Sequence, residues 1–143
     1  MTKIKTLEDL DKFAGEFLNK HPKGAIVGLS GTLGAGKTTF VRAVVKRLSP
    51  RERVMSPTYV LHQVYPTNPP IHHMDLYRLE NVDQSSLLEL QYFASLEEVR
   101  RKKGFLFVEW PEKCVDVKLL GLDVYLRFDI TGTERDVSAL HVS

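Results

Sequence analysis

GLSGTLGAGKTTFVRAVVKRL, residues 28–48, sets three glycines and a lysine between an apolar run and an amphipathic one. Gly31-Thr32-Leu33-Gly34-Ala35-Gly36-Lys37-Thr38 fits G-x-x-x-x-G-K-[ST], the phosphate-binding P-loop. The glycines permit backbone angles and close approach that a Cβ would forbid, so the N–H groups of the loop, Leu33 and Ala35 included, can converge on phosphate oxygens. The N-terminus of the following helix adds partial positive charge at the same point. Lys37 can reach the β- and γ-phosphates, the Thr38 hydroxyl can ligate Mg2+, and Thr39 can bond the α-phosphate region. A glycine turn that only caps a helix is the plain alternative; the strand-like run before the match and the amphipathic run after it weigh against that reading.

Working outward, Gly24 to Ser30 reads as a buried strand feeding the loop. From Lys37, the residues Phe40, Val41, Val44, Val45 and Leu48 mark one helical face, which Ser49-Pro50 ends. Upstream, Thr6-Leu7-Glu8-Asp9 resembles a helix cap, and Leu7, Leu10, Phe13, Ala14, Phe17 and Leu18 predict a helix over 7–19. Downstream, YVLHQVY, IHHMDLYRL, FLFVEW, DVYLRFDI and DVSALHV read as strands, with Thr131-Gly132-Thr133 as a hairpin turn. Asp83 to Lys103 reads as one helix with Leu87, Leu88, Tyr92, Leu96 and Val99 as its apolar stripe. The expected architecture is a single α/β domain over 1–143: a P-loop NTPase-like three-layer fold whose sheet is mixed, mostly parallel, with an antiparallel C-terminal part.

The whole chain sets limits on that reading. At 143 residues, 43% hydrophobic and 27% charged, it has the make-up of an ordinary globular domain. No apolar run approaches the roughly 20 residues of a membrane span, and the charged N-terminus has no signal-like apolar region, so a cytoplasmic protein without membrane contact is expected. Cys114 is the only cysteine, which excludes an internal disulfide and a cysteine metal cluster. A net charge of +2 does not announce a nucleic-acid groove, so any involvement of RNA is expected to be indirect.

A phosphate cradle needs carboxylates for the metal and for water. Phe105-Leu106-Phe107-Val108 ends at Glu109, the pattern of a metal-binding or water-activating acid at a strand's carboxyl end, and Asp75 in IHHMDLYRL is the second candidate. As ordinary residues they would be a solvated strand-end charge and an ion-pair partner of Arg78. His72 and His73, as strand neighbours, point to opposite faces and cannot share a metal by themselves; His73 shares a face with Asp75 and could orient it, or be a plain hydrogen-bonded histidine. Arg78, three residues beyond Asp75, falls on the other face if the segment is a regular strand. Trp110, the only tryptophan, follows Glu109 and reads as lying beside the nucleotide, beside a partner, or in the core. Ser56-Pro57-Thr58-Tyr59 reads either as a switch in which Thr58 senses the γ-phosphate or as a turn entering a strand. Arg100 to Lys103 reads as a solvated helix end.

Taken together, GTLGAGKTTFVR, SPTYVLHQVY, HMDLYRL and FVEWPE, in that order and spacing, resemble the TsaE (YjeE) family of small bacterial P-loop ATPases required for threonylcarbamoyladenosine formation in tRNA. The resemblance covers nearly the whole chain. It implies ATP or ADP with Mg2+ as the bound group, Lys37 and Thr38 at the phosphates and metal, and Glu109 and Asp75 serving metal and hydrolysis. It likewise implies Trp110 near the site, the SPTY segment as a switch, and Arg135 near the base. TsaB-like and TsaD-like proteins are its implied partners, with tRNA reached only through them. Thr32 and Leu10 stand where that family usually has an acidic residue and a threonine.

Three other classes bear on the same loop. A small-molecule kinase needs a substrate pocket and an arginine-bearing lid, for which residues 99–103 are too short. A nucleotide-sensing interaction module with negligible turnover would need only the loop. A GTPase would need an Asn-Lys-x-Asp segment, which Asn81-Val82-Asp83-Gln84 does not supply.

Overall fold

The apolar run that leads into the loop decides how the layers form. The computed structural model describes residues 1–51 and 61–142. In chain order these form β1 (Thr2–Ile4), α1 (Leu7–Lys20), β2 (Ala25–Gly31), α2 (Lys37–Leu48), β3 (His62–Tyr65), β4 (Ile71–Asp75), α3 (Gln84–Glu89), α4 (Tyr92–Lys102), β5 (Phe105–Glu109), β6 (Val124–Thr131) and β7 (Glu134–Ala139). Short 3-10 turns at Pro111–Lys113 and Val117–Leu120 link β5 to β6.

Along β2, Ala25, Val27 and Leu29 face one way, and with Phe105 and Phe107 of β5 they pack under Ala14 and Phe17 of α1 and Phe40, Val41 and Val44 of α2. Ile26, with Leu106 and Val108, faces the other way, against Leu87, Tyr92 and Val99 of α3 and α4. Strands buried on both faces carry near-continuous apolar runs, which is why β2 and β5 read as uninterrupted rather than alternating. The result is three layers around one seven-stranded sheet, ordered β1-β7-β6-β2-β5-β4-β3. Neighbours among β6, β2, β5 and β4 pair in parallel, and β7, β1 and β3 add antiparallel edges. The mixed sheet and the antiparallel C-terminal hairpin match the expected architecture. Register aligns Leu29 with Glu109 and Glu109 with Asp75, so three parallel strands deliver their carboxyl ends to one edge.

Three elements depart from the sequence reading. The helix expected over 83–103 is two helices, because Gln91 adopts a left-handed conformation (φ 59°) that ends α3 and restarts the chain as α4. That break rotates Leu88 out of the expected stripe and leaves it exposed. β4 stops at Asp75 instead of running through Leu79: the Tyr77 amide donates to Asp75 Oδ1 at 2.9 Å, the Leu79 amide to the Leu76 carbonyl, and the chain turns. β1, three residues with no periodicity of its own, is a strand only because it pairs with β7. Of the run YVLHQVY, Tyr59 and Val60 lie outside the described residues.

Phe40 fixes α2 on the sheet, its ring within 6 Å of those of Phe13, Phe17, Phe107 and Phe128. Phe40→Leu keeps most of the volume but loses those ring contacts, and should lower stability by about 1 kcal/mol, read as a shifted urea midpoint at unchanged slope.

Candidate functional site

The loop between β2 and α2 is shaped by two glycines whose backbones a side chain would not permit. Gly31 sits at φ +131°, where a Cβ would lie 2.2 Å from the Phe128 carbonyl oxygen, and Gly36 caps α2 at φ +107°. Past that cap the amide of Phe40 bonds back to Gly36, and α2 begins with Lys37 and Thr38 in its first turn, pointing at the loop.

Lys37 is only 4% exposed. Its ammonium donates to the Gly31 carbonyl and stands 3.7 Å over the centre of the Trp110 ring. Burial pulls its pKa below that of an ordinary lysine, while the charges of Glu109, Glu112 and Asp75 pull the other way. Trp110 is held there by its own backbone, which is left-handed (φ 61°), and by Pro111, which opens the 3-10 turn after it. Its ring also packs against Tyr77, 5.0 Å between centres. Trp110 thus lines the cleft with Lys37 and also packs against the core on that face of the sheet.

Glu109 is 3% exposed, which excludes the solvated strand-end reading. Its Oε2 accepts a 2.8 Å bond from the Thr38 hydroxyl, so the sheet edge and the first turn of α2 meet through the two candidate metal-binding groups. Asp75, half-buried beside it, has its carboxyl raised above the usual range by desolvation; the Tyr77 amide opposes this, and the neighbouring Glu109 charge adds to it. Of the two readings open for His73, orienting Asp75 is not the one its hydrogen bond supports. Its Nε2 lies 2.6 Å from Glu109 Oε2, reaching along the face to the next strand. His72, on the opposite face, meets His62, Nδ1 to Nε2, at 2.9 Å, and the two histidines share nothing.

The turn after β4 also relocates Arg78. A regular strand would have sent it to the far face; instead it lines one cleft of about 250 Å3 with Gly34, Lys37, Thr38, Asp75, Glu109 and Trp110. Leu33 sits at the rim of that cleft, and Ala35 and Thr39 lie in its wall. On the other side of the loop a second cleft, about 270 Å3, is lined by Leu10, Thr39, Phe128, Thr133 and Arg135. Arg135 thus reaches the loop from β7, while Thr58 lies outside the described residues. One further group escaped the sequence reading. Glu112 acts on Lys37 through its charge and accepts from Ser30 Oγ at 2.6 Å; Pro111, which turns the chain back after β5, was the available signal.

The donor set fits a nucleotide with a hard cation. A hydroxyl and two carboxylates are oxygen ligands of the kind Mg2+ takes, and that ion keeps waters and substrate phosphates for its other positions. Among the described residues no three His, Cys, Asp or Glu side chains form an all-protein cage, and a phosphate-bound Mg2+ does not need one.

With the geometry in place, the comparisons decide the family. The family model described as "Threonylcarbamoyl adenosine biosynthesis protein TsaE" matches residues 4–138. The chain belongs to the TsaE family. A TsaE of Nostoc is 40% identical over 113 residues, covering 78% of this chain and 68% of that protein. A TsaE of Borreliella burgdorferi is 31% identical over 135 residues, covering 94% of each. Both carry the name tRNA threonylcarbamoyladenosine biosynthesis protein, so the family's work lies in that modification of tRNA. The crystal structure of Bacillus subtilis YdiB superposes with a TM-score of 0.63 at 22% identity, covering 96% of this chain and 81% of that one, which shows a shared fold. No helix of the described residues in this TsaE chain is long and apolar enough to cross a membrane.

Proposed function

We propose that this chain binds ATP with Mg2+ at the P-loop and hydrolyses it, and that hydrolysis sustains the turnover of a TsaB–TsaD-like pair in threonylcarbamoyladenosine formation. The observation that carries the reading is the 2.8 Å bond from the Thr38 hydroxyl to the Glu109 carboxylate, closed over a buried Lys37. It joins the metal ligand expected of a P-loop to a buried strand-end acid beside the phosphate cradle, two of the groups that phosphoryl transfer to water uses.

In this reading the loop amides of residues 33–36 cradle phosphate oxygens, and Lys37 leaves the Gly31 carbonyl and the Trp110 ring for the β- and γ-phosphates. Thr38 and Asp75 hold the metal, Asp75 directly or through a water, and Glu109 orients a water for attack. Bound Mg2+ supplies charge neutralisation at the phosphates. Thr39 bonds the α-phosphate side, and the second cleft, with Leu10 and Arg135, takes the base. Thr58 senses the γ-phosphate. RNA is met only through the partner proteins, in the cytoplasm, and one domain carries all of this.

Calorimetry tests the binding half. Lys37→Ala should weaken ATP by about ten-fold or more, since a charge-assisted contact to phosphate is lost in a desolvated setting, and should weaken AMP little. Equal ATP affinity for the two proteins would remove the P-loop assignment. Phosphate release tests the chemical half: ATP bound tightly but never cleaved, with partners present, would leave a sensing module instead.

A further inference from the structure

His73 is 0% exposed, and one of its ring nitrogens, Nδ1, meets no hydrogen-bond partner among the described residues. A buried polar atom left unpaired is unfavourable, and an apolar side chain of similar size would pack against Phe107 and Tyr65 without it. Among the described residues the ring's hydrogen bond is the one between Nε2 and Glu109 Oε2, 2.6 Å, between side chains that are 0% and 4% exposed. That same oxygen takes the Thr38 hydroxyl. Two polar groups, the His73 ring nitrogen on β4 and the Thr38 hydroxyl on α2, meet at Oε2. A terminal carboxylate torsion is soft when unconstrained. Here two bonds to one oxygen fix it and turn the other oxygen away from both.

The geometry points to His73 as a positioning residue: its Nε2–H, with Nδ1 unpartnered among the described residues, holds Glu109 so that Oε1 is the oxygen presented to the cleft. This rests on the reading of Glu109 as the water-orienting acid and adds to it the group that sets the acid's orientation. His73 lines neither cleft, so it acts only through Glu109. The bond also explains why a histidine occupies the buried face of β4: its ring spans from strand position 73 diagonally to Glu109, two residues beyond its register partner Phe107. A shorter donor would not reach, and a longer cationic one would bring an unpaired charge into the core.

Two measurements separate this role from plain packing. Nitrogen-15 NMR of the ring in the nucleotide-free protein, assigned by the loss of its signals in His73→Gln, should show the Nε2-protonated tautomer, with a slowly exchanging Nε2 proton that is lost in Glu109→Ala. Single-turnover ATP cleavage should fall about 10- to 100-fold in His73→Leu, the range typical when a group that orients an active side chain is removed. ADP affinity by calorimetry should stay within about two-fold, because no binding group has been touched. His73→Gln, which keeps an N–H of similar reach, should recover most of the rate. In a Glu109→Ala background, His73→Leu should have no further effect, since there is no acid left to position. A ring protonated at Nδ1, or a His73→Leu protein as fast as wild type while Glu109→Ala is slow, would overturn the inference. Full activity in Glu109→Ala would instead remove the reading of Glu109 on which it rests.

Discussion

Glu109→Ala is expected to cleave ATP about a hundred-fold or more slowly than wild type while binding ADP with nearly the same affinity. The expected asymmetry follows from where the carboxylate sits. In the proposed binding mode ADP is held by the loop amides, Lys37 and Thr38, all of which remain. Glu109 has its largest effect when an incoming water develops charge, a moment that exists only in the transition state. A variant that lost rate and ADP affinity together would show that the acid holds the nucleotide complex rather than the water. The isosteric Glu109→Gln sharpens the result. It can still accept from Thr38 and His73, so the local packing survives, but its amide cannot carry the negative charge that draws a proton from water. Steady-state phosphate release and ADP calorimetry on the same preparations check both halves.

Much of this site was legible because its chemistry is local. The P-loop is eight consecutive residues, and its flanking periods alone fixed a strand before it and a helix after it. Glu109 followed from an apolar run ending in an acid, and burial on both faces of β5 is why that run was continuous. The hairpin turn at residues 131–133 was legible for the same reason: Thr131 pairs with Glu134 across Gly132 and Thr133. What escaped depended on contacts between segments. β1 is defined by its partner strand, and no pattern in three residues announces it. The break at Gln91 is one backbone dihedral inside a sequence whose spacing alone reads as helix. Arg78 was assigned to the wrong face because period two was carried past Asp75, where the Tyr77 amide bond turns the chain. The bond from His73 to Glu109 was out of reach for a related reason. Period two identifies companions on the same strand, whereas side-chain partners in a parallel sheet are as often on the neighbouring one.

Turnover of the isolated chain is expected to be slow, and to rise on the order of 10³-fold or more when a TsaB–TsaD-like pair closes over the nucleotide, as completion of a P-loop site in trans can bring. The cleft as it stands is open to water: Leu33 at its rim is 62% exposed and Tyr77 41%, two large apolar side chains in the position a covering surface would bury. Burial of that rim would exclude water and strengthen each charge interaction inside it. Arg78 makes the prediction divisible. Because it lines the same cleft as Lys37 and Glu109, the cation that offsets transition-state charge has a candidate within this chain, leaving closure as the partners' contribution. Arg78→Ala should then reduce the partner-stimulated rate more than the rate of the isolated chain, where the arginine works in high dielectric. If the partners instead supply the cation, Arg78→Ala will be stimulated as strongly as wild type. Thr58→Ala tests the γ-phosphate sensor in the same assay, with a lower stimulated rate expected and ADP binding unchanged. Steady-state ATPase of the isolated chain, then with both partners, then with each variant, decides between these outcomes. Fast hydrolysis by the chain alone, indifferent to the partners, would make this a self-contained enzyme and leave the exposed rim without a role in turnover.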